Sequence, residues 1–341
     1  MSFIDNIKEQ AKQDIKTIVL PETNDVKVLK GAEIVLKEGF ANIILIGKKQ
    51  DITELSNNNN IDISGATIID PEMDNEKLEF YAEKLYELRK EKGMQKDEAR
   101  NLLISNSRYF ACMMVKLGDA DGYVSGAANP TSDTLRPALQ IIKGAPGVNT
   151  VSAFFVMCLP DEKWGDNGNY IYADCGMVEN PDENQLADIA IVASESYKEL
   201  INKEGTPRVA MLSYSTKGSA KSDLTQKVIN ASNLVHERKP ELLVDGEMQL
   251  DAAIIPEIGD KKAPGSEVAG KANILIFPDL NAGNIGYKLT ERFGNAKAYG
   301  PLIQGLALAV NDLSRGCSAE DVAGVVAITA VQAHNKQVNK D

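Results

Sequence analysis

The stretch KTIVLPETNDVKVLKGAEIVLKEGFANIILIG, residues 16–47, reads as strand, helix, strand. KTIVLPE (16–22) is a β-branched run closed by Pro-Glu, and DVKVLKGAEIVLKEG (25–39) has helical spacing and stops at Gly39. NIILIG (42–47) is a continuous apolar run of a length that suits a buried strand. Strand and helix in alternation mean parallel strands joined by crossover helices. Outward from this unit, residues 1–15 read as a short amphipathic helix, ATIID (66–70) as a third strand and NNNN (57–60) as a loop. A charged helix starts at Glu76 and ends at Gly93, and 96–118 reads as one further helix. ADGYVSG (120–126) is a strand that delivers the loop AANPTSD, and TLRPALQIIK is a helix whose first turn is set by Pro137, at Thr134 to Arg136.

At 341 residues the chain exceeds the usual single-domain size, so two domains are expected. GAPGVN (144–149) is the best boundary. Beyond it VSAFFVMCLP and YIYADCGM read as strands, and a helix capped by Asn180 or Asp182 follows. RVAMLSYSTKGSA (208–220) is a strand running into a polar loop, ELLVDGEMQLDAAI (241–254) an extended run, and DKKAPGSEVAGK (260–271) a loop. NILIFPDLNAGN (273–284) is a strand ending in another polar loop.

The formal net charge is −12, and no Lys/Arg block is interleaved with aromatics, which argues against a nucleic-acid partner. The N-terminal MSFIDNIKEQAKQ has no apolar core of a signal peptide. No apolar run reaches the ~18 residues of a membrane-spanning helix. Cys112, Cys158, Cys175 and Cys317 are widely spaced, and the first three, in apolar or strand-like runs, read as buried thiols of a reducing compartment. The expectation is a cytoplasmic protein without a membrane partner. His236 and His334 are the only histidines and neither has metal-ligand spacing, so no metal site is expected and a Ser-His-Asp triad is disfavoured.

Three loops, VSGAANPTSD, SYSTKGS and FPDLNAGN, each follow an apolar strand and precede a helical run. In open parallel sheets ligands bind beyond the carboxyl ends of the strands, where helix N-termini offer free N–H groups to anions. Each loop by itself could be an ordinary βα turn; three together point to a phosphate-type site. GxGxxG is absent, GSEVAGKA (265–272) lacks the hydroxyl and the following helix of a P-loop, and GCSAE (316–320) is one residue short of GxSxG. The last of these is set aside because a helix is expected to feed it rather than a strand.

That segment belongs to NDLSRGCSAED (311–321), which packs a serine, an arginine, a cysteine and two acids between the apolar runs PLIQGLALAVNDL and DVAGVVAITAVQA. Both runs have helical spacing, so the stretch reads as a corner between two buried helices, with Gly316 in the left-handed position that closes the first. Ser318 suits the N-cap of the second, with Asp321 as its partner three residues on. Helix punctuation and a functional corner are both open on these residues alone.

SGAANPTSDTLRPALQIIK, SYSTKGSA, FPDLNAGNIGYKLTERF and NDLSRGCSAEDV, in this order and spacing, resemble the phosphate acetyltransferase (phosphotransacetylase) family nearly end to end. The resemblance implies two three-layer α/β domains with a cleft between them, in the fold of isocitrate and isopropylmalate dehydrogenases, and a homodimer. It implies a split into 1–145 with 305–341 and 146–304. The implied reaction is reversible: acetyl-CoA and phosphate give CoA and acetyl phosphate, with CoA as substrate and no permanently bound cofactor.

By motif, Asp321 resembles the base that takes the thiol proton, and Ser314 and Arg315 resemble the groups that hold acetyl phosphate. Arg136 resembles a contact to CoA phosphate, and Arg89 a second, with its neighbour Lys90 also fitting. The phosphate side would be lined by Ser125, Gly126 and Thr131, by Ser213, Ser215, Thr216, Lys217 and Gly218, and by Asn281, Gly283 and Asn284.

A thiol is mostly protonated at pH 7 and an ordinary Asp is about 4 to 5 units too weak a base for it. The corner must therefore make the acid more basic or the thiol more acidic, and a helix N-terminus pushes a carboxylate the wrong way. Arg315 has the fork geometry for a phosphate or a developing oxyanion, so lysine would not replace it. Other readings are a phosphate butyryltransferase-like enzyme, a covalent acyl carrier at Ser314 or Cys317, an NAD-dependent decarboxylating dehydrogenase and a non-enzymatic phosphate or CoA binder. The dehydrogenase needs an acidic metal cluster that Asp133 and Asp321 do not supply.

Overall fold

The computed structural model describes residues 2–338. The chain packs as two compact units, Met1–Ala145 with Leu306–Asp341, and Pro146–Gly305.

The first unit runs α1 (Phe3–Ala11), β1 (Lys16–Leu20), α2 (Val26–Glu38), β2 (Ala41–Ile46), α3 (Lys49–Asn58), β3 (Thr67–Ile69) and α4 (Asn75–Arg89). It continues with α5 (Lys96–Ser105), α6 (Ser107–Leu117), β4 (Gly122–Ser125) and α7 (Thr131–Ile141). The second unit holds β5 (Ser152–Cys158), β6 (Asn169–Ala173), α8 (Glu183–Leu200), β7 (Arg208–Leu212), α9 (Asp223–Arg238) and β8 (Leu243–Met248). It ends with α10 (Leu250–Ile254), α11 (Pro256–Lys262), β9 (Ile274–Ile276), α12 (Leu280–Phe293) and β10 (Lys297–Gln304). The chain then returns to the first unit as β11 (Ala309–Asp312) and α13 (Ala319–Val338).

In the first unit five parallel strands stand in the order β11-β4-β1-β2-β3. The opening stretch behaves as its pattern demands. Ile18, Val19 and Leu20 are buried, and Asp25 caps α2 by accepting from the Lys27 amide at 2.8 Å. Gly39 closes α2 in the left-handed conformation at φ +68°. α1, α2 and α13 pack together on one side, and α4 to α7 form a second packed group. Gly31 of α2 lies where a Cβ would stand 2.5 Å from Val322 Cγ1, so α2 and α13 meet closely at a position only glycine allows.

The second unit has six strands in the order β10-β5-β6-β9-β7-β8. β5 runs antiparallel to both neighbours, while β6, β9, β7 and β8 are parallel. α8 and α9 pack together, and Ala253 of α10 and Ala263 just after α11 share a core cluster with Phe155, Tyr172 and Phe277. Tyr287 of α12 stacks on Phe155 with ring centroids 4.1 Å apart.

Several expected elements differ. The helix expected before the corner is strand: PLIQ ends β10, and AVND is β11, paired in parallel with β4. A short buried apolar run carries no period that separates helix from strand, and the pairing partner decides. Gly316 accordingly closes no helix and is not among the residues at positive φ. The segment 96–118 is two helices, broken at Asn106, which stands at φ −139° and caps α6 through the Arg108 amide.

α7 begins at Thr131, six residues before Pro137, because Pro130 rather than Pro137 punctuates it. Asn57 and Asn58 end α3 rather than standing in a loop, the extended run after Leu243 turns into α10 at Leu250, and α11 covers Asp260–Lys262. NAGN (281–284) is the first turn of α12 rather than a loop. Cys112, Cys175 and Cys317 are buried and free, whereas Cys158 is only partly covered.

Candidate active site

Three neighbouring strands of the first unit, β1, β4 and β11, run parallel and release their chains at the same edge. Glu22 follows β1, Ser125 ends β4 and Asp312 ends β11, and all three are buried. The corner leaves β11 at Leu313 and enters α13 at Ala319, so it is a strand-to-helix turn. A strand does feed GCSAE after all, which removes the reason given for setting the nucleophile turn aside. Ser318 is nevertheless a cap, and Glu320 stands where that motif needs its second glycine.

Both ends of the corner are anchored. Asn311 Nδ2 donates to Thr329 Oγ1 at 2.8 Å and to Gln332 Oε1 at 2.7 Å, fixing β11 on α13 inside the core. Ser318 and Asp321 form a reciprocal cap: the Ser318 amide donates to Asp321 Oδ2 at 2.8 Å and the Asp321 amide donates to Ser318 Oγ at 3.1 Å. Between them the Gly316 amide donates to Ser314 Oγ at 3.3 Å and the Cys317 amide to the Ser314 carbonyl at 2.9 Å.

Ser314, Arg315 and Asp321 are exposed, and among the described residues no ion pair holds the Arg315 guanidinium. The corner therefore gathers a hydroxyl, a guanidinium and a carboxylate on a rigid base. Lys27, in the first turn of α2, braces it by donating to the Arg315 carbonyl at 2.9 Å and the Ala127 carbonyl at 3.4 Å. Burial pushes the Cys317 thiol up to about 11, although Lys27 pulls it down. A thiol held that high is a poor nucleophile at neutral pH.

Arg136 is exposed on α7 and Arg89 is half-buried at the end of α4, its Nε without a hydrogen-bond partner among the described residues. α4, α6 and α7 pack on one another. Burial pushes the Tyr109 hydroxyl of α6 up, while Arg136 and Arg89 pull it down, so both guanidiniums lie within electrostatic reach of one ring. Tyr109 donates to Gln140 Oε1 at 2.9 Å. Lys90 is exposed just beyond α4.

The glycine-rich loops are a different matter. Gly126 and Ala127 donate their amides to Glu22 Oε2 at 2.7 and 2.8 Å, and Asn129 Nδ2 donates to Glu22 Oε1 at 2.6 Å. Thr131 Oγ1 donates to Asp312 Oδ2 at 2.5 Å. Ser125 is buried, and its hydroxyl has no hydrogen-bond partner of normal geometry among the described residues.

In the second unit Ser215 Oγ and the Gly218 amide donate to Glu247 Oε1 at 2.7 and 2.8 Å. The Thr216 amide donates to Ser219 Oγ at 3.0 Å, Ser213 Oγ accepts from the Ser215 amide at 3.4 Å, and Lys217 Nζ pairs with Asp245. Asp279 caps α12 through the Ala282 amide at 3.0 Å, Asn284 Nδ2 donates to the Cys175 carbonyl at 3.2 Å, and Asn281 is exposed. Gly283 is a glycine because a Cβ there would stand 2.2 Å from the Asp174 carbonyl oxygen.

The converging donors are thus real, and carboxylates of the chain itself fill two of the three loops. Glu22, Glu247, Lys27 and Asp312 escaped the sequence reading. Their one signal is an acid or lysine within a few residues of a strand end.

A predominantly parallel fold with a polar strand-to-helix corner defines an enzyme of the two-unit α/β class. The chain belongs to the family described as Phosphate acetyl/butaryl transferase, which matches residues 2–330. A phosphate acetyltransferase from Acetivibrio thermocellus is 58% identical over 333 residues, 98% of this chain and 98% of that protein. The crystal structure of a phosphotransacetylase from Streptococcus pyogenes has a TM-score of 0.89 at 40% identity, covering 98% of this chain and 100% of that one. A solved structure from Salmonella typhimurium, 13% identical with a TM-score of 0.52 over 93% of this chain and 99% of that one, shares the fold alone.

Proposed function

We propose that the chain is a phosphate acetyltransferase that moves an acetyl group reversibly between coenzyme A and inorganic phosphate at the 314–321 corner. The observation that carries this reading is one anchored turn presenting Ser314, Arg315 and Asp321 to solvent, with Lys27 behind it. Asp321 takes the proton from the CoA sulfur. The thiolate attacks the carbonyl carbon of acetyl phosphate, and the electron pair of the C=O bond moves to oxygen. Arg315 and Ser314 hold that oxyanion and the phosphoryl oxygens. The oxyanion collapses, the carbon–oxygen bond to phosphate breaks, and phosphate leaves as acetyl-CoA forms.

A free Asp and a free thiol differ by about 4 to 5 pKa units. The step therefore needs nearby cations to acidify the sulfur, and Lys27 and Arg315 are the two the corner supplies. Lys27 already pulls down the one resident thiol, Cys317. The raised Cys317 thiol favours direct attack over a covalent cysteine carrier. Arg136 and Arg89 hold CoA phosphates beside Tyr109. The loop donors engaged by Glu22 and Glu247 are left out of the phosphate site, and Arg315 remains as its candidate contact.

CoA enters as a substrate, no resident cofactor or metal is part of this reading, and the enzyme works in the cytoplasm. A homodimer is supported by α12, where Ile285, Leu289 and Phe293 are 57%, 51% and 88% exposed at helical spacing. The test is thiol release from acetyl-CoA on addition of phosphate, run beside butyryl-CoA. The acetyltransferase reading expects phosphate-dependent release that is faster with acetyl-CoA. Release that ignores phosphate, or that favours butyryl-CoA, contradicts it.

A further inference from the structure

Resting on the reading of Ser314, Arg315 and Arg136 given above, we propose that Asp312 is a positioning residue for the acyl transfer. Its buried carboxylate ties the first turn of α7, which carries Arg136, to the loop that carries Ser314 and Arg315.

Asp312 ends β11, in register with Ser125 of β4, and is 0% exposed. Its Oδ2 accepts from Thr131 Oγ1 at 2.5 Å, at the first residue of α7. Its Oδ1 and the buried hydroxyls of Ser125 and Thr134 make no hydrogen bond of normal geometry among the described residues, although Thr134 stands near enough to pull the carboxyl down. Gly126 packs against this carboxylate: a Cβ there would stand 2.2 Å from Asp312 Oδ1 and 2.7 Å from the Leu313 amide, and φ is +109°. The chains leaving β4 and β11 therefore meet closely at this acid, two residues before Ser314, and the Glu22 side chain beyond β1 accepts from the same β4 chain. A shift of this acid moves the arginine helix and the catalytic turn together, and a displacement near 1 Å at such a site costs on the order of a hundredfold in rate.

The charge on this acid is conditional. Burial pushes the Asp312 carboxyl up to about 6, Glu22 adds to the rise, and Thr131, Thr134 and the Leu313 amide pull it down. The charged groups around it are Glu22 beyond β1, Arg108 of α6 at 3.9 Å from Glu22 Oε1, and Lys27 of α2 on the Ala127 and Arg315 carbonyls. Tyr123 and Ser125 come from β4 and Thr131 and Thr134 from α7. Ionised, Asp312 accepts from Thr131; protonated, it holds α7 less firmly. Turnover then falls as pH drops through about 6.

Stability moves the other way. The carboxyl is raised above its ordinary 3.8, so its contribution to stability is full below that value and lost as pH rises through about 6. A neutral amide in its place costs no stability at pH 8.

The experiment follows kcat from pH 5 to pH 9 in the native chain, Thr131→Val, Asp312→Asn and Arg315→Lys, with melting temperatures at pH 8. Asp312→Asn is expected to melt no lower than the native chain, to turn over roughly ten- to a hundredfold more slowly at pH 8, and to lose the acid limb near pH 6. Thr131→Val, which removes a bond that lowers this carboxyl, is expected to move the acid limb upward by about half a unit or more.

Asp312→Asn turnover within twofold of native, or an acid limb that Thr131→Val leaves in place, overturns the proposal. Arg315→Lys separates the two failures. If it is impaired while Asp312→Asn is not, only the role of Asp312 falls; if it keeps the native rate, the site assignment falls and this proposal with it.

Discussion

The turn at 314–321 and the loop at 213–220 are built from similar residues, with opposite outcomes. The loop has Ser215 and Gly218 donating to Glu247 and Lys217 paired with Asp245, so its donors and its cation close inward. The turn closes only its backbone, through the Ser318 and Asp321 cap, and leaves the Ser314, Arg315 and Asp321 side chains exposed. The loop at 126–129 behaves like the first case, with Glu22 at its centre. Glycine, serine and threonine after a strand announce that donors will converge on an anion. They do not say whether that anion is a ligand or a carboxylate of the chain, and an acid near another strand end decides it.

This contrast can be tested from both sides. Arg315→Lys is the sharpest probe of the open turn: kcat/KM is expected to fall about 10²- to 10³-fold, as for loss of an oxyanion donor, with the melting temperature unchanged because the guanidinium is exposed. A lysine that restores the native rate would place the phosphoryl contact elsewhere. Glu247→Ala probes the closed loop. It leaves the Ser215 hydroxyl and the Gly218 amide without their acceptor, for an expected loss of about 2–4 kcal/mol of stability read by denaturant unfolding. An unchanged unfolding midpoint would mean that water or ligand replaces the carboxylate freely, and the loop would then be open after all. Arg136→Ala is the mildest: the KM for CoA is expected to rise about tenfold with kcat within about twofold, since a lone exposed phosphate contact is worth roughly 1 to 1.5 kcal/mol. An equal loss in kcat would show that Arg136 acts on the reacting atoms.

Much of the molecule was legible in its pattern. Residues 16–47 gave strand, helix and strand, including the Asp25 cap and the Gly39 stop, because periodicity, cap and terminator all agree there. The Ser318 and Asp321 pair was readable as a cap for the same reason. What failed was PLIQGLALAVNDL, where a buried apolar run carries no period that excludes either state, and β4 and β5 supply the partners that make it strand. Pro137 misled because proline punctuation is shared with Pro130 about two helix turns earlier, just before α7 starts.

The proposed site residues readable in sequence, Ser314, Arg315, Asp321 and Arg136, are exposed polar side chains. Glu22, Asp312 and Glu247 were illegible, because a buried acid after a strand looks in sequence like any loop acid. Only the folded chain brings its donors to it, from residues about a hundred or more positions away in the case of Glu22 and Asp312.

The central claim is that Asp321 moves the thiol proton. Asparagine at that position still accepts from the Ser318 amide and keeps the cap, so the fold and the CoA contacts proposed for Arg136 and Arg89 stay in place. The direct measurement is turnover and CoA affinity of Asp321→Asn in parallel. The account predicts a drop in kcat of about 10²- to 10⁴-fold with CoA binding within about threefold of native. An Asp321→Asn enzyme that turns over within tenfold of the native rate would contradict it.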